Sequence, residues 1–340
     1  MTTPGTDREG ERDGLTPALA DDLAARCAGA PAELADLYRH ALLPPGKLLR
    51  PLLVAESAAA VGGSPGQVLP AASAVELLHV GTLVHDDIID GDTVRRGRAA
   101  VHYRFGSHRA VVGGDALFFQ AFDALAECAR RGVPADRIVR ACAALATAGR
   151  DLCRGVTREL DQAGTPRLAL GAYLEMAGLK TSPLFGGACR IGAVLAGADD
   201  GPAAALGAYG HALGIAFQAR DDLLAYEAPP ETTGKPAASD LDNHRPTLPV
   251  LLAHQRGTAQ ERMVVEALLA QGGRSPAAHA RMRRILARTG ALDAAGEVID
   301  AHVERCHRAL AELPTGPAVA RLAALADRLR RRPGAAPGDA

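Results

Sequence analysis

The sequence has very little lysine, no tryptophan and few aromatic residues. Of its 38 basic residues only Lys47, Lys180 and Lys235 are lysines, and all the others are arginines. Phe and Tyr together make up 3% of the 340 residues. The formal net charge is −1, so the chain lacks the basic excess that is typical of nucleic-acid-binding proteins. We therefore expect no nucleic acid among its partners.

Long apolar runs are also missing. None reaches the roughly 20 residues that a membrane-spanning helix needs, so no membrane span is predicted. Residues 1–17 are polar and have no apolar core of a secretory signal, and we expect them, like residues 333–340, to be disordered tails. The six cysteines form no CxxC pair. We expect them to be reduced thiols in a cytoplasmic protein.

Alanine and leucine dominate what is present, and 48% of the residues are hydrophobic. β-branched runs are few, and apolar residues recur at steps of three and four, which favours helices. We predict an all-α protein with a single domain over residues 18–332. The predicted helices cover residues 18–40, 47–60, 67–90, 107–129, 135–160, 168–177, 180–195, 201–227, 245–256, 258–270, 275–309 and 317–332. Residues 228–246 are rich in Pro and Gly and predict a flap.

Three aspartates end a largely apolar predicted helix. Asp86 and Asp90 are one turn apart and share a face, while Asp87 lies to one side. His79 lies two turns before Asp86 on that face. Clustered carboxylates at the C-terminal end of a helix repel one another and meet an unfavourable dipole. A hard cation such as Mg²⁺ is the expected partner, and a solvated acidic helix end is the alternative.

Basic residues accompany this acidic motif. Arg95 and Arg96 follow it directly, and carboxylates beside guanidinium groups are typical of metal-bridged phosphate sites. Lys47 and Arg50 are predicted to open a helix on one face. Lys180 is predicted near the start of another helix, a position suited to an anion. Each of these cations alone could be a solvated surface charge, but together with the acidic motif they indicate a phosphate site.

A second acidic motif, Asp221 and Asp222, lies on another apolar helix. Gln218 precedes Asp221 by three positions, so their side chains are predicted to converge. Alone, such an acidic pair is more simply a surface feature, but with the first motif it predicts two acidic faces lining one cavity. The flap that follows carries Lys235 and Arg245.

Six motifs match one known family in their order along the chain. They are Gly46-Lys47-Leu48-Leu49-Arg50-Pro51, Asp86 to Asp90 followed by Arg95-Arg96-Gly97, Gly114-Asp115, Lys180-Thr181, Phe217-Gln218 with Asp221-Asp222, and Gly234-Lys235 through Asp240-Leu241 to Thr247-Leu248-Pro249. With them the chain resembles the trans-isoprenyl diphosphate synthases of the polyprenyl synthase family over roughly residues 25–330. The resemblance implies an isoprenoid-synthase-type helical bundle around a central cavity, in a homodimer.

The resemblance also implies roles for the motif residues. Three Mg²⁺ ions would bind to Asp86, Asp90 and Asp221, which with Lys180 are the candidate catalytic residues. The allylic diphosphate would bind to Arg95, Lys180, Gln218 and Lys235. Isopentenyl diphosphate would bind to Lys47, Arg50, His79 and Arg96. Thr181 and Arg245 complete the candidate substrate-binding residues.

In the implied reaction, metal ions neutralise the diphosphate of the allylic substrate so that it can leave. The alkene of isopentenyl diphosphate then attacks the allylic carbocation, and a proton is lost to the departing diphosphate. This chemistry needs a dry cavity and no side-chain nucleophile. The product would be a linear all-trans prenyl diphosphate.

Two positions depart from the family pattern. Ala225 stands where a third aspartate is usual, and Arg245 stands where lysine is common. These departures leave open a non-catalytic partner subunit of a prenyl synthase, although the intact first motif and the three lysines oppose it. A class I terpene cyclase is a further alternative, disfavoured because such enzymes lack the GKxxRP and RRG motifs.

In the family that the chain resembles, the length of the product depends on residues one turn or so before the first aspartates. Here these are Gly81 and Thr82, both small, with Leu78 below them, so the sequence predicts a chain longer than ten carbons. Phe118 and Phe119 could form the floor of the tunnel or be ordinary core. We predict a product near twenty carbons, geranylgeranyl diphosphate.

Overall fold

The computed structural model describes residues 14–162, 169–227, 246–271 and 276–331. Within these residues there are fifteen α-helices, one 3₁₀ helix and a single two-stranded hairpin. The predicted all-α fold class is therefore confirmed.

The helices are numbered here in chain order. The first seven are α1 Leu15–Ala28, α2 Ala32–Leu42, α3 Leu49–Ala60, α4 Leu69–Asp90, α5 Val101–Phe105, α6 Ser107–Ala126 and α7 Ala135–Gln162. The hairpin strands β1 Val94–Arg95 and β2 Arg98–Ala99 precede α5, and the 3₁₀ helix Glu127–Arg131 follows α6. The remaining helices are α8 Leu170–Lys180, α9 Ser182–Ala196, α10 Asp200–Glu227, α11 Leu248–Arg256, α12 Ala259–Gln271, α13 Pro276–Arg288, α14 Ala291–Leu310 and α15 Pro317–Asp327.

Two of the predicted helices are each divided in two. The helix predicted over 18–40 is interrupted between Ala28 and Ala32, where Pro31 has an extended backbone conformation. The helix predicted over 275–309 is interrupted at Gly290, whose φ of +66° is left-handed. The first helix also begins at Leu15, so the predicted N-terminal tail is shorter than 17 residues.

The described residues form two compact units. The first consists of residues 14–149, 184–210 and 308–323. The second consists of residues 150–162, 169–183, 211–227, 246–271, 276–307 and 324–331. A single domain over residues 18–332 stays a prediction.

Close packing of α4 on α6 organises the first unit. A Cβ atom added to Gly81 would lie 2.6 Å from Cε1 of Phe118, and one added to Gly114 would overlap the ring of His85. The His85 ring meets Phe118 edge-on, with 5.3 Å between ring centroids, and its Nε2 lies 3.1 Å from the carbonyl oxygen of Val111. These glycines let the two helices approach closely, which fixes the end of α4 that carries the first acidic motif.

Glycines do the same for the second unit around the junction of α8 and α9. A Cβ atom on Gly155 of α7 would overlap the backbone of Lys180, and one on Gly214 of α10 would lie 2.6 Å from Cα of Ser182. The short connection from Lys180 to Ser182 is therefore held on both sides by backbone. This fixes the position of Thr181 between the two helices.

Two further properties concern the whole described chain. No helix among the described residues is long and apolar enough to cross a membrane. All six cysteines are free, and Cys27, Cys128, Cys189 and Cys306 are buried. Cys153 differs from these four, since it is exposed.

A buried ion pair ties the C-terminal part of the first unit to α3. The guanidinium group of Arg321 donates three hydrogen bonds of 2.7–2.9 Å to the two carboxylate oxygens of Glu56. The Glu56 side chain is only 8% exposed. Close to this pair, the hydroxyl of buried Tyr209 donates to the carbonyl oxygen of Leu322 at 2.7 Å.

We predict that Arg321→Ala lowers the free energy of unfolding by about 2–4 kcal/mol, because it leaves a buried carboxylate without its counter-ion. Arg39→Ala is the matched control, since Arg39 pairs with Asp36 in a fully exposed bridge and its loss should cost about 0.5 kcal/mol or less. Denaturant titration measures both changes. Equal losses for the two variants would contradict a stabilising role for the Glu56–Arg321 pair.

Candidate active site

The first acidic motif lies at the C-terminal end of α4. The helix ends there because Gly91 adopts a left-handed φ of +67°, and the backbone N–H of Asp92 donates to the carbonyl of Asp87 at 3.0 Å. Asp86 and Asp90 are half-buried, one turn apart on the same helix. This arrangement agrees with the predicted shared face of Asp86 and Asp90.

The middle aspartate has a structural partner that the sequence did not reveal. Asp87 is 2% exposed. Nε of Arg95 donates to its Oδ1 at 2.7 Å, and a second guanidinium nitrogen contacts the same oxygen. A buried carboxylate needs such a partner, since desolvation of an unpaired charge is costly. Arg95 thus anchors strand β1 to α4, in addition to its predicted role with substrate.

The tight turn of the hairpin places Arg96 beside Gly46 of the GKxxRP motif. Arg96 and Gly97 connect the two hairpin strands with φ values of +52° and +72°, as in a type I′ turn. A Cβ atom on Gly46 would lie 2.6 Å from Cζ of Arg96. The glycine of the GKxxRP motif therefore provides the space that the Arg96 guanidinium group occupies.

Arg50, His79 and Glu76 form a polar cluster inside the first unit. Nη1 of Arg50 donates to Nε2 of His79 at 3.0 Å, and the guanidinium carbon lies 4.6 Å from the ring centroid of Phe185. Because arginine only donates hydrogen bonds, Nε2 of His79 accepts, and the imidazole is neutral with its proton on Nδ1. Desolvation, followed by the charges of Arg50 and Arg96, holds the pKa of His79 well below its usual value.

Glu76 was not a predicted site residue. It is 3% exposed on the turn of α4 before His79. Burial raises the pKa of its carboxyl group, and the charges of Arg50 and Arg96 lower it, with burial dominating. An acidic residue inside an otherwise apolar helix segment was the sequence signal that could have identified it.

The predicted helical position of Lys47 is wrong. Leu48 has a left-handed φ of +51°, so α3 begins at Leu49, and Lys47 lies outside the helix on which Arg50 lies. Lys47 is exposed. Lys47 therefore lies in the irregular segment before α3 and does not share a helix face with Arg50.

Lys180 lies at the opposite helix end from the one predicted. It is the last residue of α8, where a cation complements the negative end of the helix dipole. Thr181 follows it directly before α9, in which Pro183 occupies the first turn. The ammonium group of Lys180 forms an ion pair with Glu159 of α7, a partner that the sequence did not indicate.

The second acidic motif contains one exposed and one buried carboxylate. Asp221 is exposed, whereas Asp222 is 6% exposed. Nε2 of Gln218 donates to Oδ1 of Asp222 at 2.8 Å. The partner recorded for Gln218 is therefore Asp222, one full turn away, and not Asp221 as the spacing predicted. Ala225 is half-buried one turn after Asp221.

Hydrogen bonds connect Asp222 directly to two further helices of the second unit, and through Gln218 to Thr181. The hydroxyl of Tyr173 on α8 and the backbone N–H of Leu248, the first residue of α11, both donate to its Oδ2, at 2.6 Å and 2.9 Å. The hydroxyl of Thr181 donates to Oε1 of Gln218 at 2.6 Å. Two predicted substrate-binding residues thus belong to one network centred on Asp222.

Lys235, Arg245 and the predicted flap lie outside the described residues. Within the described ranges, no three His, Cys, Asp or Glu side chains are grouped so as to hold a metal ion by themselves. Mg²⁺ normally keeps several waters and is bound by one or two carboxylates together with substrate phosphates. Asp86 and Asp90 form a carboxylate pair of that kind, so the first motif fits a metal ion that substrate helps to bind.

Comparison with known proteins places these features in one family. The family described as Polyprenyl synthetase matches residues 31–286. A geranylgeranyl diphosphate synthase of Methanosarcina mazei is 40% identical over 227 residues, which are 67% of this chain and 69% of that protein. A geranylfarnesyl diphosphate synthase of Aeropyrum pernix is 34% identical over 286 residues, 84% of this chain and 89% of that protein.

A solved structure extends the similarity to nearly the full fold. A polyprenyl synthase from Caulobacter crescentus, complexed with calcium and isoprenyl diphosphate, superposes with a TM-score of 0.84. The two sequences are 34% identical, and the match covers 95% of each chain.

We predict that His79 stays neutral at pH 6, with an imidazole pKa well below 6.5, because burial and two guanidinium groups disfavour its charged form. NMR titration, assigned with His79→Asn, measures this pKa. Since the pKa is lower in the folded than in the unfolded state, protonation favours unfolding, and stability is lost as pH falls below about 6.5. His79→Asn should therefore lose less stability than wild type between pH 7 and 5. A pKa of His79 at or above 6.5 would contradict the assignment.

Proposed function

This chain belongs to the polyprenyl synthetase family, and on that basis we propose a specific reaction for it. The chain condenses isopentenyl diphosphate with an allylic diphosphate to a linear all-trans prenyl diphosphate, in a Mg²⁺-dependent reaction. We place this activity in the cytoplasm.

Asp86 and Asp90 bind the metal ions in this proposal, together with the exposed Asp221. The donor set supports it, since hard oxygen ligands in pairs suit Mg²⁺ bridged by a diphosphate. Three ions are proposed, as the family resemblance implies. Bound Mg²⁺ supplies positive charge that neutralises the departing diphosphate. The Caulobacter crescentus relative, complexed with calcium and isoprenyl diphosphate, supports both the type of cation and the class of ligand.

The contact between Gly46 and Arg96 is the observation that carries the proposal. It joins the GKxxRP and RRG motifs, and Arg50 reaches His79 of α4. We assign isopentenyl diphosphate to Lys47, Arg50, His79 and Arg96. Two guanidinium groups, one ammonium group and a neutral imidazole carry enough positive charge for one diphosphate without a metal ion.

The allylic diphosphate is assigned to a second group of residues. They are Arg95, Lys180, Thr181, Gln218, Lys235 and Arg245. Lys180 and Thr181 are fixed by the glycine contacts of the α8–α9 connection, and Gln218 is held by Asp222. Fixed donors bind a substrate without first having to be ordered, which supports this assignment.

We propose a product near twenty carbons, geranylgeranyl diphosphate. Phe118 fills the space beside Gly81, so a ring from α6 lies next to the small residues that precede the first aspartates. Phe119 is 73% exposed and does not form a floor within the first unit. The two relatives bear names for products that differ by one isoprene unit, and the proposed product is the shorter of these.

Two other functions make different predictions in one assay. A non-catalytic partner subunit, motivated by Ala225, would elongate no allylic substrate, and a class I terpene cyclase would make a cyclic hydrocarbon without isopentenyl diphosphate. The purified protein is incubated with Mg²⁺, labelled isopentenyl diphosphate and geranyl or farnesyl diphosphate in turn. A linear product with either allylic substrate is expected, and elongation of neither would refute the proposal.

We predict that Asp86→Ala lowers kcat by about a thousandfold or more, because a metal ligand for the leaving diphosphate is lost. Asp36→Ala, which removes an exposed carboxylate, is the control and should leave kcat unchanged. Ala225→Asp should change kcat less than threefold (roughly 0.6 kcal/mol), since Asp221 is retained. A large gain from Ala225→Asp would show that the second motif is incomplete.

We propose further that two copies of the chain form a homodimer through α6. Val112, Phe119 and Phe122 recur along one face of this helix, and all three are exposed. An exposed apolar stripe on a helix is typical of a protein interface. The same stripe from a second copy would cover it symmetrically.

Phe119→Asp should convert the dimer to monomer, since it introduces a charge at the centre of the apolar face. Met263→Asp is the matched control, because Met263 is an exposed apolar residue of α12, at 68%. Sedimentation velocity distinguishes the two states. A dimer that persists in Phe119→Asp would exclude this face as the interface.

A further inference from the structure

The buried carboxylate of Asp222 accepts three hydrogen bonds from described residues. Leu248 contributes a backbone N–H, Tyr173 a hydroxyl and Gln218 an amide N–H. The N–H groups of Leu248 and Gln218 donate to different oxygens, Oδ2 and Oδ1, so both carboxylate oxygens act as acceptors. An ionised carboxylate accepts hydrogen bonds and donates none.

Because the carboxylate of Asp222 accepts hydrogen bonds and donates none, it determines the orientation of the Gln218 amide. Since Asp222 only accepts, the nitrogen of Gln218 must face it, and the amide oxygen must face Thr181. Thr181 accordingly donates its hydroxyl proton to that oxygen. The amide nitrogen carries two hydrogens, and the bond to Asp222 uses one of them. The other N–H remains on the same side of the amide as a donor.

We propose that Asp222 is a positioning residue for the allylic diphosphate, which acts by holding the Gln218 amide so that its second N–H points to the anion. The inference rests on the proposed function, in which Gln218 binds that diphosphate. With the amide reversed, the oxygen would present a lone pair where the N–H had been. A lone pair facing a diphosphate oxygen is repulsive, so the orientation decides whether Gln218 attracts or repels the substrate.

Asp222→Asn reverses the Gln218 amide with almost no change in volume. The backbone N–H of Leu248 cannot turn round, so the oxygen of the substituted side chain must take the place of Oδ2, which accepts from it. The nitrogen of the substituted side chain then faces Gln218 as a donor, and Gln218 must turn its oxygen towards that nitrogen. Thr181 can accept from the reversed amide, because a hydroxyl both donates and accepts. The groups named here stay hydrogen-bonded, while the Gln218 amide reverses its direction and the side chain at position 222 loses its charge.

The direction of the expected change in diphosphate affinity distinguishes this positioning role from a purely electrostatic effect of the lost charge. Removal of a negative charge near an anion site would by itself strengthen anion binding. We expect the opposite. The KM for farnesyl diphosphate and the Kd for inorganic diphosphate with saturating Mg²⁺ should both rise about tenfold in Asp222→Asn, the equivalent of one hydrogen bond to a charged group. The KM for isopentenyl diphosphate should stay within about twofold of wild type (roughly 0.4 kcal/mol).

Tyr173→Phe is the matched control. It removes one donor from Asp222 but keeps the bonds to Gln218 and Leu248, so the amide of Gln218 keeps its direction. We expect this variant to melt at a lower temperature and to retain the KM of wild type for both substrates. Equal effects of Tyr173→Phe and Asp222→Asn on the KM for farnesyl diphosphate would reduce Asp222 to a structural residue.

Two further outcomes would overturn the proposal. Binding of inorganic diphosphate that is unchanged or tighter in Asp222→Asn would show that the amide direction does not matter. A rise in the Mg²⁺ concentration for half-maximal rate, with an unchanged KM for farnesyl diphosphate, would assign Asp222 to the metal. Because the diphosphate titration needs no turnover, it tests Asp222 even if the wild-type protein condenses no substrate. A wild-type protein without condensation activity would refute the proposed function but would leave the test of Asp222 intact.

Discussion

A carboxylate taken out of water must be met by donors, and this requirement shapes both acidic motifs. In each motif, two adjacent aspartates differ in burial and in hydrogen bonding in the same way. The second member is buried and hydrogen-bonded, Asp87 to Arg95 and Asp222 to Gln218 of its own helix and to two other helices. The first member is less buried, since Asp86 is half-buried and Asp221 is exposed. Because neighbouring positions on a helix point in different directions, the buried aspartate can fix the local backbone while its neighbour faces away from that contact.

Glycine supplies the complementary constraint, since it allows backbones and rings to come close where charged groups must be placed accurately. Gly81 and Gly114 bring α4 against α6, and Gly155 and Gly214 enclose the connection that carries Thr181. Gly46 makes room for a guanidinium group in the same manner. A larger residue at any of these positions would displace the neighbouring group, and packed interiors transmit such a displacement.

Much of the fold and part of the site could be predicted from the sequence. The periodicity of α4 and α10 and the one-turn spacing of Asp86 and Asp90 are local properties, and the structure has both. Side-chain partners were harder, because they depend on elements distant in sequence. Nothing near Lys180 indicated Glu159, and the three-residue spacing of Gln218 and Asp221 suggested a pairing that Asp222 takes instead. The helix boundary at Lys180 was also misplaced, since Thr181 to Pro183 can either continue or begin a helix.

Without substrate, the ammonium group of Lys180 is already paired with the carboxylate of Glu159. In the proposed role of Lys180, the allylic diphosphate competes with a carboxylate that the protein itself provides at high effective concentration. A singly charged anion gains little from this exchange, whereas a diphosphate carries more charge than the carboxylate it replaces. The pair would therefore favour a highly charged ligand over a singly charged one.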